Sequence, residues 1–470
     1  MRGRSRTVKD FSTWEARAGA GITIVDRRAA GKARRDVVPR DSLARWRPPT
    51  DRADPLDILQ ASDATRLPDL VPLRYGRMLA SPFTFYRGSA GVMAADIGPG
   101  PTSGLIAQAC GDCHLLNFGG FASPERRILF DVNDLDETLP APWEWDVQRL
   151  AASFVLAGRS LGLSDHVARD AAEASVRSYR TRMRAFSETD VLDIWYARLD
   201  DEMVERMLPA DRSAAFRKRI DKAIRHSSSE LVFPKLVEDG VAGDTRIRDT
   251  LPTIFHVGDV STKDHLRRIS GPLAGYRETL TEDRRRLYDR YELVDVAMKV
   301  VGIGSVGTTC MIGLFMSMAG KPLFLQMKEA NASVLAPFAG AGAHAHQGER
   351  VVQGLRMVQP ATDIFLGWTT GESGRHFYVR QLRDVKLRPL IETFDAGVLE
   401  IYATICGWAL ARSHAKSGDP WMISGYLGKS EAFDAAAARF AVTYADLAEQ
   451  DHERLKAAVR SGRIAVQHED

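Results

Sequence analysis

The chain has 470 residues, 44% hydrophobic and 27% charged, ordinary for a soluble globular protein and long enough for one large domain or several smaller ones. That composition excludes disorder throughout, collagen-like repeats and coiled coil. With 64 basic against 61 acidic residues, net +3, the charge makes no case for nucleic acid or an anionic membrane as main partner.

Residues 1–64 read as a basic N-terminal arm with clusters such as Arg27-Arg28 and Lys32-Ala33-Arg34-Arg35. A solvated or surface-laid arm is expected there rather than a nucleic-acid contact. No apolar h-region follows the first charges. The four cysteines, at 110, 113, 310 and 406, are too few for a disulfide framework. Together these point to the cytoplasm. Phe83-Thr84-Phe85-Tyr86 predicts a strand ending at Arg87-Gly88. Leu105 to Ala109 and Ile128 to Val132 are short apolar runs around a polar loop. From Trp145 the spacing of Leu150, Phe154, Val155, Ala157 and Leu161 predicts helix, and amphipathic stretches continue to residue 225.

Residues 226–260 are mixed, with Pro and Gly breaks, and 277–297 read as charged helix. Val300 to Gln326 predicts two strands around the turn Met318-Ala319-Gly320-Lys321-Pro322. Helix is expected at 349–359, strand at Phe377 to Leu382, and helix at 396–415 and 430–460. The uncharged stretch between Lys299 and Lys321 imitates a membrane span. Its four glycines, at 302, 304, 307 and 313, interrupt the apolar run that a spanning helix needs, so no membrane is expected.

The polar loop carries the chemistry. Asp112 and Asn117 stand five apart after an apolar strand, the D-x-x-x-x-N spacing of a phosphotransferase loop. There a carboxylate accepts or orients the proton of an attacking hydroxyl, and an amide oxygen holds a metal ion against the phosphates. Asn133-Asp134-Leu135-Asp136 follows a strand and offers oxygen ligands to Mg²⁺, with Asp134 first and Asp136 beside it. A single aspartate in such a place is more often a turn or cap residue; the pairing with the Asp112 loop carries the reading. The same loop matches C-x-x-C-H through Cys110, Cys113 and His114. Haem attachment would want an export signal and zinc a second ligand pair, and neither is seen.

Gly302-Ile303-Gly304-Ser305-Val306-Gly307 is a G-x-G-x-x-G followed by a β-branched strand, not by the helix of a dinucleotide fold. Strand–glycine loop–strand is how a kinase covers ATP phosphates. Lys328, late in the next apolar strand, would bind those phosphates, with Glu349 at the start of the following helix as its ion-pair partner.

Gly111-Asp112-Cys113-His114-Leu115-Leu116-Asn117 resembles the G-D-x-H-x-x-N loop of aminoglycoside phosphotransferases and choline kinases, although Cys110 stands where they usually have histidine. Asn133 to Asp136 resembles their metal segment. Trp145-Asp146-Val147-Gln148-Arg149-Leu150-Ala151 resembles their next helix, whose aspartate is structural. More closely, residues 65 to 450 resemble the bacterial domain-of-unknown-function 2252 family through Phe85-Tyr86-Arg87-Gly88, Cys110 to Gly119, Asn133 to Thr138, Trp145-Asp146, Val301 to Thr308 and Gln326 to Ala330. The resemblance implies a kinase-like fold and no particular substrate.

Here, however, the glycine loop and lysine follow the catalytic loop. A circular permutation repairs this: joining the helix ending Ala409-Leu410-Ala411-Arg412-Ser413-His414-Ala415 to Leu105 restores the usual order. The expectation is therefore an α+β, bilobal, circularly permuted kinase-like protein. Residues 65–295 would form the helix-rich lobe, 296–385 the β-rich nucleotide lobe, and 386–470 helices returning to the first lobe. It would be an ATP- and Mg²⁺-dependent phosphotransferase. Asp112 would act as base, Asn117, Asp134 and Asp136 would hold metal, and Gly302, Gly304, Ser305, Gly307, Lys328 and Glu349 would hold nucleotide. Arg87 could add an anion contact, although a surface salt bridge is the commoner role for such an arginine. The small-molecule acceptor is not readable. A regulatory nucleotide-binding module and an AMP transferase are the alternatives.

Overall fold

A computed structural model describes residues 22–225, 233–234, 236–239, 245–256, 262–382 and 386–468. The first 21 residues of the expected arm and much of 226–260 lie outside them. The protein is mixed α+β with several sheets.

Helices build the larger core. Trp143–Ser160 is buried on every side from Trp143 to Gly158, as a helix without a continuous polar face must be. Asp165–Phe186 opens on Ser164, whose hydroxyl accepts the Val167 N–H at 3.3 Å. Ala396–Ser417 opens on Asp395, whose carboxylate accepts the Val398 N–H at 2.9 Å. With Ala432–Arg460 these helices enclose Phe154, Tyr179, Cys406 and Phe440. The end of Ala396–Ser417 lies against the strand Ile106–Ala109, where the Gln108 N–H donates to Ser417 Oγ at 3.1 Å.

One antiparallel sheet has six strands in the order Gly367–Thr370, His376–Gln381, Pro322–Glu329, Cys310–Ser317, Tyr291–Lys299, Ile254–Phe255. Cys310 faces Lys328 across one pair and Met311 faces Met298 across the next. Residues 300–309, the glycine loop, join two neighbouring antiparallel strands; the first of these lies at Tyr291–Lys299, and not from Val300 as expected. Helix Gln347–Val358 follows the lysine strand and sinks Val351, Val352, Leu355 and Val358 into the helical core. It therefore fastens the sheet to the helices. No helix among the described residues is long and apolar enough to cross a membrane; Cys310–Ser317, the suspect stretch, is a strand.

Arg412 shows how tightly the helices are pinned. It is fully buried, and its Nη2 donates to Asp131 Oδ2 at 2.6 Å and to the Val358 carbonyl. Arg412→Leu should lower unfolding free energy by about 3–5 kcal/mol, because it leaves the Asp131 carboxylate in the core without its ion-pair partner, with the Val132 N–H at 2.8 Å as its remaining hydrogen bond. Urea titration should show a lower midpoint at unchanged slope, and a loss below about 1 kcal/mol would reject this role.

Three expectations are corrected. Residues 82–88 form a helix, not a strand. Pro82 sits in its first turn, and Ser81 and Thr84 make a capping box that outweighs the strand propensity of the aromatics. The charged helix over 277–297 stops at Tyr288, and Tyr291–Lys299 is a strand whose central residues are buried. The basic arm is not a solvated tail over its described part. Helix Ile24–Ala33 packs on Pro420–Leu427. There Arg35 donates to the Tyr426 and Gly425 carbonyls at 2.7 and 2.6 Å, and Arg40 to the Leu427 carbonyl at 2.7 Å. The arginines satisfy the open C-terminal carbonyls of that helix.

Candidate functional site

A cavity of about 400 Å³ lies between the Asp112 loop and the glycine loop, lined by Asp112, Asn117, Asp134, Asp136, Gly302, Gly304 and Ser305. Six of the expected site residues and Asp112 thus share one space. Lys328 stands behind this lining. It is 2% exposed and its Nζ reaches Asp134 Oδ1 at 3.5 Å and Asp136 Oδ2 more closely.

The Asp112 turn is held from below. Gly111 takes φ +82°, and a Cβ there would collide with the Glu137 backbone, so the turn requires glycine. The N–H groups of Cys110 and Gly111 donate to the two oxygens of Asp146, at 2.6 and 3.0 Å. His414 Nε2 also lies 3.2 Å from Asp146. Asp146 is structural, as the resemblance implies. Asn117 Nδ2 donates to the Asp112 carbonyl at 2.7 Å, which leaves its oxygen as the atom open to a cation.

Sequence reasoning missed the residue that aims Asp112. Arg149 donates from Nε at 2.7 Å and from Nη2 at 2.5 Å, both to Oδ1, so Oδ2 is the oxygen left for a substrate. Burial raises the Asp112 carboxyl while Arg149 pulls it down. His114 Nε2 is 3.8 Å from Oδ2, too far for a hydrogen bond, and burial holds His114 neutral. Arg149 lies within the segment 145–151 already singled out, but nothing in its spacing names its partner.

The acidic segment is fixed by four elements: the strands of Tyr378 and Lys328, the glycine loop and the helix of Arg350. Asp136 Oδ1 accepts the Tyr378 hydroxyl at 2.7 Å. Asp136 Oδ2 accepts the Ser305 hydroxyl at 3.3 Å across 169 residues of chain, so the glycine loop touches the carboxylate segment directly. Burial costs Lys328 its charge less than the neighbouring carboxylates favour it, and it stays firmly protonated. Glu349 does not take part. Its Oε1 faces His344 Nδ1 at 3.6 Å, and it is not on the cavity wall. The helix turns Arg350 inward instead, donating to the Asp136 and Asn331 carbonyls at 2.8 Å and the Thr138 carbonyl at 2.5 Å. Gly307 also stays off the wall. It takes φ +86° at the base of the loop, where its carbonyl accepts the Leu67 N–H at 2.8 Å. Cys110 and Cys113 are buried free thiols. No group of three or more His, Cys, Asp or Glu placed to hold a metal occurs among the described residues.

A family model described as an uncharacterized protein conserved in bacteria (DUF2252) matches residues 66–458. The chain belongs to the DUF2252 family. The match spans both the Asp112 loop and the glycine loop. No curated protein and no solved structure matches the chain.

This DUF2252 protein also carries a neutral-range carboxyl on the cavity wall. Burial pushes Glu137 up to about 7, although the Val334 N–H bonds its Oε2 at 2.7 Å and Arg350 opposes the shift. An unfolded glutamate releases its proton near 4.5. Between those values the native state holds the extra proton. The stability this group contributes is therefore complete below about 4.5 and lost as pH rises through about 7. Glu137→Gln should flatten the fall in unfolding free energy between about pH 4.5 and 7 in denaturant titrations. An unchanged slope would refute it.

Proposed function

We propose that this DUF2252 protein is an ATP-dependent phosphotransferase with a circularly permuted, bilobal kinase-like fold, acting on a small hydroxylated acceptor. The observation that carries the reading is the contact of Ser305 with Asp136, which puts glycine loop and acidic loop on one cavity. The strand arrangement supports it. The glycine loop joins two neighbouring strands, the lysine sits on the next, and a helix follows. The meeting of Ser417 with Gln108 supports the permutation, because it brings the helix expected before the catalytic loop to the strand that leads into it.

The acceptor oxygen attacks the γ-phosphorus, the bond to the β,γ-bridging oxygen breaks, and ADP leaves. Asp112 Oδ2 orients the acceptor hydroxyl and receives its proton. Lys328 leaves the carboxylates for the phosphates, and the amides of Gly302, Gly304 and Ser305 cover them. A hard cation fits the oxygens of Asn117 and the 39%-exposed Asp134. Asp136, whose two oxygens already serve Tyr378, Ser305 and Lys328, steadies them rather than binding metal. When bound, Mg²⁺ neutralises phosphate charge there.

ATP labelled separately at the α- and γ-phosphate tests the reaction. Transfer of γ-label is expected; α-label transfer would make the protein an AMP transferase, and binding without either a regulatory module. Absence of any melting shift at millimolar Mg-ATP would remove the nucleotide from the scheme. Ligand at 100 times its Kd adds about 2.7 kcal/mol.

A further inference from the structure

The cavity wall away from the glycine strands comes from residues 58–92, and Arg87 is its cationic point. Its neighbour Tyr86 is bolted to the residue that aims Asp112. The Tyr86 hydroxyl donates to the Arg149 carbonyl at 2.8 Å, Arg149 Nη2 donates to the Tyr86 carbonyl at 2.9 Å, and the guanidinium lies 4.4 Å from the Tyr86 ring centre. One short helix, Pro82–Gly88, therefore steers Asp112 and presents Arg87 beside it.

Arg87 makes no hydrogen bond or ion pair among the described residues, and its Nε is buried without a partner. A guanidinium keeps its charge, and this half-buried one, with its Nε shut in and no ion pair among the described residues, offers its remaining donors to an anion. Arg66 and Arg74 on this wall also have a buried Nε without a hydrogen-bond partner, but their Nη groups are occupied: Arg74 donates to Asp63, Ser62 and the Gly88 carbonyl, and Arg66 to the Val306 carbonyl. A second unsatisfied group shares the cavity. His114, 3% exposed, has an Nδ1 without a partner.

The carboxylate in this cavity that acts on Arg87 is Asp112, not the acidic segment. The charges it senses are Asp112, Arg388 and Glu392. Lys328 senses Asp134, Asp136, Tyr378 and Arg380 instead. The glycine loop crosses the backbone of Arg87, where a Cβ on Gly304 would lie 3.5 Å from its carbonyl oxygen. Arg87 thus lines the same cavity as Asp112, with the glycine loop passing over its backbone. Apolar Ile58, Leu59, Val92 and Val334 line it too and favour a compact ligand.

We infer that Arg87 reads an oxyanion on the acceptor, so that the acceptor of the phosphotransferase proposed above is a compact hydroxylated acid, either a carboxylate or a phosphate ester. The inference rests on that reading for the word acceptor, and on the cavity alone for the anion site.

The test is calorimetric titration of inorganic phosphate and of malonate into the full chain, with and without saturating Mg²⁺ and the non-hydrolysable ATP analogue AMP-PNP. With the γ-position filled, the wild type should bind at least one anion saturably. Arg87→Gln should weaken that binding about 10- to 100-fold, the loss of a charge-assisted contact, and Arg87→Lys should fall between. AMP-PNP affinity should stay within about twofold. The inference is overturned if neither anion binds the wild type under either condition, or if Arg87→Gln binds as the wild type does. It is also overturned if the variant loses AMP-PNP instead, which would assign Arg87 to the γ-phosphate. Should AMP-PNP bind neither protein, the phosphotransferase reading fails, and the nucleotide-free titrations still decide the anion site. If Arg87→Gln does not fold, Arg87→Lys carries the comparison.

Discussion

Asp112→Ala is expected to reduce phosphoryl transfer by at least about 10²–10³-fold while nucleotide affinity changes little. The Asp112 carboxylate is oriented by Arg149 through Oδ1 only, so the alanine variant removes a positioned Oδ2 and no phosphate contact. Arg149 is then left buried with one partner fewer, and a modest loss of stability accompanies the loss of rate. Asp112→Asn separates the two effects. It keeps an oxygen for Arg149 and restores stability, but an amide cannot take the proton. The decisive measurement is single-turnover transfer from γ-labelled ATP with nucleotide binding measured in parallel. Undiminished transfer in Asp112→Ala would reject the assignment of the base, whatever the acceptor.

Lys328→Met is expected to damage both stability and nucleotide binding. The methionine fills the same buried space but removes the cation that bridges Asp134 and Asp136, leaving only the more distant Arg380 to offset them. Removing one member of a buried pair costs about 3–5 kcal/mol, and the partial exposure of the aspartates puts this case at the lower end, about 3 kcal/mol. Melting should shift down by several degrees, and the stabilisation by Mg-ATP should be lost. Adding Asp136→Asn removes one stranded charge and should recover part of the stability without recovering nucleotide binding. If Lys328→Met melts with the wild type, the ion pair is not structural. If it is still protected by Mg-ATP, Lys328 is not the phosphate ligand.

The loops were legible in the sequence and their fastenings were not. Asp112, Asn117, Asp134 and Asp136 show themselves by spacing after apolar runs, and the glycine loop by the strand that follows it. The structure gathers these on one cavity. Glu349 illustrates the limit. The sequence places an acid at the start of the right helix, but the rotation of that helix turns Arg350 inward instead, and only packing fixes that rotation. Arg149 and Tyr86 were equally hidden, since a buried pair 63 residues apart has no periodic signature. The Phe83–Tyr86 error was avoidable: Ser81, Pro82 and Thr84 announce a helix start more reliably than two phenylalanines announce a strand. The strand Tyr291–Lys299 was masked by its charges. Asp295 among them is buried and paired with His256 at 3.1 Å and the Ile247 N–H at 2.6 Å.

The contact between Gln108 and Ser417 also sets a timetable for biosynthesis. The strand that leads into the Asp112 turn leaves the ribosome 309 residues before the serine that meets it, and Arg412 and His414 come equally late. During most of translation the Asp112 turn has no support from that helix. The nascent chain cannot brace the Asp112 turn as the folded protein does until that helix emerges, and contacts spanning so much sequence make the final assembly slow.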